Sequence, residues 1–150
     1  MLQEDKNLLL KEVTARFPYE LKCQYYDRPE IGVLKVVGVI MDYGSALIKF
    51  ETPKDSNAKY PLEYYLSEIR PYLFPLSSMT KEQRKEFNSL TGSIEIEGFD
   101  ISSKQDIDDF KYVDIEDMLV VIDWLNAHHF DYRGLIRKGL ATDATGLNIY

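Results

Sequence analysis

Between residues 20 and 76 apolar side chains stop recurring every third or fourth position and alternate every second one, which commits this part of the chain to a sheet of short strands. In residues 20–26, Leu21, Cys23 and Tyr25 fall on one face and Lys22 and Gln24 on the other. Residues 31–42, IGVLKVVGVIMD, are rich in β-branched side chains, and Gly38 in their middle predicts a bend or bulge. Asp42, Tyr43, Gly44 and Ser45 carry turn chemistry, and residues 46–51 alternate again, with Leu47 and Lys49 opposed to Ile48 and Phe50. These two runs are expected to pair as a hairpin. After a polar loop over 52–59, residues 61–66 and 69–76 read as two further extended pieces, punctuated by Pro61, Pro71 and Pro75. Four or five short strands with one bent at a glycine suit a small SH3-like antiparallel barrel or curled sheet better than a sandwich.

Helical spacing governs the flanks. Leu8, Leu9, Val13 and Phe17 predict a helix over residues 3–16 that Pro18 brings to an end. Thr80 and Gln83 stand at the spacing of a reciprocal cap, so a helix is expected over 81–89, closed by Gly92. Residues 93–101 alternate through Ile94 and Ile96 as a strand with Glu95 and Glu97 on its wet face. From Asp114, an N-cap candidate followed by Glu116 and Asp117, a long helix carries a core stripe of Ile115, Met118, Leu119, Ile122 and Leu125, with Val121, Trp124 and His128 beside it. Asp131 and Gly139 are placed to start and stop a second short helix over 132–138. Residues 141–150 form a tail that docks only if Leu147, Ile149 and Tyr150 find a groove. The expected fold is therefore α+β, one domain over 1–150, with an N-terminal helix and β half over 1–76 packed against a mainly helical half over 77–150.

Charge and cysteine usage narrow the class of function. The formal net charge is -7, and residues 95–123 hold ten acidic side chains against two lysines, a local -8 that leaves the remainder near neutral at +1. Phosphate binding needs a clustered basic face, which the sequence lacks, so nucleic acid is a poor candidate partner. The acidic block reads first as a solvated surface. The single cysteine, Cys23, forbids an internal disulfide and points to a reducing compartment. With no signal-like leader and no run near the roughly 20 apolar residues of a membrane helix, a cytoplasmic protein with no membrane role is expected.

No catalytic motif, metal-ligand set or phosphate loop is written in the sequence, and no cofactor, metal or catalytic residue is assigned. His128 and His129 are adjacent, so on a helix they diverge by about 100 degrees and cannot share one metal. A capping or hydrogen-bonded role is expected for them instead. Asp106, Asp108 and Asp109 lack the glycine and the terminal glutamate of a calcium loop. Eleven tyrosines remain, several of them in the sheet half, where they favour strands and also suit a protein contact.

Two strings, RPYLFPLSSMT at residues 70–80 and DWLNAHHFDYRGLIRKGLA at 123–141, resemble segments of small uncharacterised proteins encoded in prophages and mobile elements of gut Bacteroidetes. The resemblance extends over most of the chain. It implies a phage-linked or mobile-element-linked accessory protein, and it carries over no functional residue.

A non-enzymatic protein-interaction module is the expectation that follows, with Trp124, Tyr132, Arg133, Tyr64 and Tyr65 as contact candidates and an exposed aromatic or apolar patch as its signature. Two rival expectations are an acidic inhibitor that imitates nucleic acid, which needs the carboxylates of 95–123 on one face, and an enzyme, which needs a deep pocket holding perturbed titratable groups.

Overall fold

A computed structural model describes residues 1–42, 44–52, 62–90 and 115–150. The protein is α+β. Among the described residues it has six strands: β1 (Lys22–Tyr25), β2 (Leu34–Asp42), β3 (Ser45–Phe50), β4 (Leu62–Tyr65), β5 (Ile69–Leu73) and β6 (Thr142–Asp143). Three α-helices accompany them: α1 (Gln3–Arg16), α2 (Lys81–Leu90) and α3 (Ile115–Ala127). None of these helices is long and apolar enough to cross a membrane.

The strands form one mixed sheet in the order β4-β3-β2-β1-β5-β6. β2 and β3 make the expected hairpin, with Asp42 opposite Ser45 and Ile40 opposite Leu47, and the register shifts between Val36 and Gly38 where a bulge was anticipated. A one-turn 3-10 helix, Leu66–Glu68, separates β4 from β5. Its last residue ties three elements together: the Glu68 carboxylate accepts from Tyr25 Oη at 3.0 Å and from the Tyr65 amide at 2.8 Å, and the Glu68 carbonyl accepts from the Tyr26 amide at 2.7 Å. β5 then returns beside β1 with Cys23 opposite Pro71. The sheet is not closed into a barrel. The outer edge of β5 pairs in parallel with β6, Tyr72 opposite Thr142, so a segment from the end of the sequence occupies that side of the ribbon.

α1 ends where proline was expected to end it, passing through a short 3-10 turn, Phe17–Tyr19, to Glu20 in the left-handed conformation at φ 58°. Its buried stripe differs from expectation. Leu9 and Val13 are fully buried as predicted, each worth about 1.5–3 kcal/mol, but the stripe continues through Glu12 and Arg16, and Phe17 is 41% exposed. At α2 the Thr80 hydroxyl accepts from the Gln83 amide at 3.1 Å and the Gln83 side chain accepts from the Thr80 amide at 2.9 Å, the reciprocal cap anticipated.

The helix expected over 132–138 does not form. Gly134 is left-handed at φ 73°, which interrupts any helical run at its third residue, and the segment becomes successive turns. Asp131 still serves as a cap, accepting from the Leu135 and Ile136 amides at 2.8 Å each, and Gly139 is left-handed at φ 68°. The expected strand over 93–101, Gly92, the N-cap Asp114, most of the acidic block, and Asp106, Asp108 and Asp109 lie outside the described residues.

Among the described residues, buried side chains gather in two clusters. One lies between α1 and the sheet, around Leu9, Leu21, Cys23, Ile48 and Phe50, and takes Leu135, Leu140 and Ala141 from the C-terminal turns. The other joins α2 to α3 through Phe87, Val121, Trp124, Leu125 and Phe130, with Phe74 and Leu76 packed against it. Cys23 belongs to the first cluster, where burial pushes its thiol well above the usual range and leaves it unreactive.

Candidate functional site

Trp124, one of the five contact candidates from the sequence, is only 8% exposed. α3 turns it inward, where it lies 5.7 Å from the Phe130 ring and nearly parallel to it, 5.5 Å from Phe87 and 4.1 Å from the His128 imidazole. Its indole Nε1 is buried with no hydrogen-bond partner among the described residues. Trp124 is therefore core and offers little surface to a partner. His128 fulfils the plain expectation, its Nδ1 lying 2.9 Å from the Trp124 carbonyl.

Tyr132 and Arg133 belong to a charged corner built against α1. Arg16, fully buried, donates to the Glu12 carboxylate and, through its other terminal nitrogen, to the Phe130 carbonyl at 2.6 Å. Arg133 Nε lies 3.0 Å from the second oxygen of Glu12. Both guanidiniums lie against the Tyr132 ring, that of Arg16 at 5.3 Å and that of Arg133 at 5.1 Å, while the tyrosine hydroxyl donates to Asn126 at 3.2 Å. Burial raises the Glu12 carboxyl above its ordinary range against the pull of Arg16 and Arg133. This corner fastens α1 to the turns that follow α3, and within it the buried Arg16 Nε has no hydrogen-bond partner among the described residues. Leu9, Glu12, Val13 and Arg16 at helical spacing were the available signal, overlooked because two of the four are charged.

Beside the corner, His129 is left-handed at φ 57° and turns its ring into the interior. Its Nδ1 has no partner among the described residues, and burial, with Arg16 next in weight, lowers its pKa to about 4. The imidazole is neutral at physiological pH. The Tyr150 ring stacks on it at 3.9 Å and 16°, so the tail does find a groove, through Tyr150.

Tyr64 and Tyr65 are adjacent in β4 and point to opposite faces. Tyr64 turns inward, 4.6 Å from Tyr25 and 5.8 Å from Phe50. Tyr65 points outward and is 52% exposed. Register places it opposite Leu47, which is opposite Ile40, so these three side chains form one row across β4, β3 and β2 on the outer face of the sheet. Ile40 is 37% exposed, and the next outward row holds the ion pair Lys49–Glu63 at 3.1 Å. The structure thus separates the five sequence candidates: Tyr65 joins the exposed row, Tyr132 and Arg133 join the charged corner, and Trp124 and Tyr64 pack inside.

Among the described residues no cluster of three or more His, Cys, Asp or Glu is arranged to hold a metal ion. No protein-family model matches the chain, and no curated protein or solved structure matches it. An α+β protein with an open mixed sheet is the class its fold defines.

Proposed function

We propose that this chain is a non-enzymatic protein-interaction module, an accessory protein of a phage or mobile element, that receives a protein partner on the outer face of β2, β3 and β4. The observation that carries the proposal is the outer row of Ile40, Leu47 and Tyr65, exposed at Ile40 and Tyr65 and half-buried at Leu47, an aromatic and two aliphatic side chains in register, bordered by the Lys49–Glu63 pair. An apolar centre with a charged rim is the anatomy of a protein contact. Tyrosine also supplies contact area at low entropic cost. The strand order, with a single 3-10 turn before β5 and β5 returning to β1, supports an SH3-like description of residues 20–76. The proposal rests on the row and not on that likeness, since a fold does not specify a function.

Tyr65, the exposed aromatic of the row, carries about 2 kcal/mol, so Tyr65→Ala lowers affinity roughly thirtyfold. The test compares partners captured from extracts of the native host by the intact protein and by an Ile40→Asp/Tyr65→Ala variant whose circular dichroism is unchanged. A discrete protein held by the first and lost by the second is expected. Identical proteins on both, or none on either, would overturn the proposal.

A further inference from the structure

We infer that Glu68 guards the outer edge of the sheet: by holding the outward backbone amide of Tyr65, it closes β4 to the addition of another strand, above all the β4 of a second copy. Among the described residues β4 is an end strand, at the opposite end of the sheet from β6. An end strand presents backbone amides and carbonyls on which a further strand can template. The ladder fixes which groups of β4 these are. Asp42 and Ser45 close the β2–β3 hairpin across two residues, so they form a hydrogen-bonded pair, and alternation makes Ile40–Leu47 the next such pair. Leu47 therefore directs its backbone groups to β2. Its neighbour Tyr65 in β4, and by the same alternation Glu63 opposite Lys49, turn theirs to the outer edge.

There the Tyr65 amide donates to Glu68 Oε2 at 2.8 Å. The carboxylate is itself fixed, since its other oxygen accepts from Tyr25 Oη at 3.0 Å and the Glu68 carbonyl accepts from the Tyr26 amide at 2.7 Å. The same bond caps the 3-10 helix Leu66–Glu68, and its place on the edge gives it the second task. Few registers remain for an incoming β4. Centring on Glu63 sets two Glu63 carboxylates opposite each other, and like charges so placed destabilise the pair. Any register that engages Tyr65 needs its amide as a donor, and Glu68 already occupies it. β4 is four residues long, so no further length compensates. The guard acts on the backbone and leaves the Tyr65 side chain 52% exposed.

Sedimentation of the full chain over a rising concentration series tests the guard. Glu68→Ala frees the Tyr65 amide and is expected to raise the weight-average mass toward twice that of the unaltered protein, whereas Glu68→Gln, which keeps an acceptor for that amide, does not. Tyr25→Phe removes the other bond of the Glu68 carboxylate and leaves the cap in place, so it lowers stability without added association. In the associated Glu68→Ala protein the Glu63 and Tyr65 amides gain protection from exchange as concentration rises. No association of Glu68→Ala beyond that of the unaltered protein, equal association of Tyr25→Phe, or association that leaves those two amides unprotected overturns the inference. Should Glu68→Ala not fold, the unaltered protein decides: a Tyr65 amide that exchanges about tenfold or more slowly than that of Glu63, each relative to its intrinsic rate, supports the guard, and equal rates refute it. Failure here leaves the proposed contact untouched, because that contact depends on the side chains of Ile40, Leu47 and Tyr65 and is read from partner capture.

Discussion

Arg16 and Glu12 sit on the inner face of an otherwise ordinary amphipathic helix, and their cost is met only because each supplies what the other lacks. The Arg16 guanidinium is wholly buried against the Glu12 carboxylate and the Phe130 carbonyl, and Arg133 completes the carboxylate from the far side. Removing one member strands a charge in the interior. Arg16→Met is therefore expected to lower stability by about 3–5 kcal/mol, whereas Glu12→Leu/Arg16→Met together cost much less, a contrast that urea unfolding of the three proteins measures directly. His129 adds a pH dependence of defined sign. Its folded pKa of about 4 lies below the ordinary histidine value of 6.5, so the unfolded chain takes up a proton first. The stability it contributes is complete above pH 6.5 and is lost as pH falls toward 4, on the order of 3 kcal/mol in all. The charges of Arg16, His128 and Lys22 oppose its charging, while the Tyr19 backbone hydrogen-bonds to it. Glu12, raised above its usual value, favours the folded state at low pH and so works in the opposite direction. Comparing urea midpoints of the unaltered protein and His129→Asn between pH 4 and 7 isolates the histidine, because asparagine tolerates the left-handed backbone. A flatter profile for the variant is expected.

At the level of elements, local chemistry was legible wherever a short pattern decides the backbone by itself. Alternation located β1 and β3, the Thr80–Gln83 spacing located the start of α2, and Pro18 located the end of α1. Gly38 marked the bulge in β2 for a reason that the structure revises. Its φ is not left-handed, and a Cβ there would meet the Lys49 side chain at 3.6 Å, an ordinary contact. The bulge follows from the shifted pairing of β2 with β3, so Gly38→Ala is expected to change stability by no more than about 0.5 kcal/mol, read from its thermal or urea midpoint. The turns after Asp131 show the converse. Asp131 and Gly139 are correct helix punctuation, but Gly134 between them adopts a left-handed conformation and the helix is lost, an outcome that the outer two residues do not encode.

For the whole molecule, α+β character could be read from the change of period, while the openness of the sheet could not. Closure depends on what occupies the far edge of β5, and the occupant is β6, whose two residues have no strand pattern of their own. Trp124 illustrates the same limit from the other side. The expected stripe of α3 set Trp124 and Val121 beside the core and Leu119 within it, but the buried face runs through Val121, Trp124 and Leu125 while Leu119 is 60% exposed, because α2 and Phe130 pack against Trp124. Tyr64 and Tyr65 could be separated by strand alternation alone, but which of them faces water depends on α1 covering the other side of the sheet. The outer row of Ile40, Leu47 and Tyr65 is thus a product of assembly, and it is the feature on which the proposed interaction depends. Site-specific photocrosslinking tests it most directly, with benzoylphenylalanine in place of Tyr65 and, as a control on an exposed site of α1, in place of Glu4, both expressed in the native host. A discrete heterologous product from position 65, absent from position 4 and abolished by Ile40→Asp, is expected; no product from position 65, or the same product from both positions, would contradict a docking role for this face.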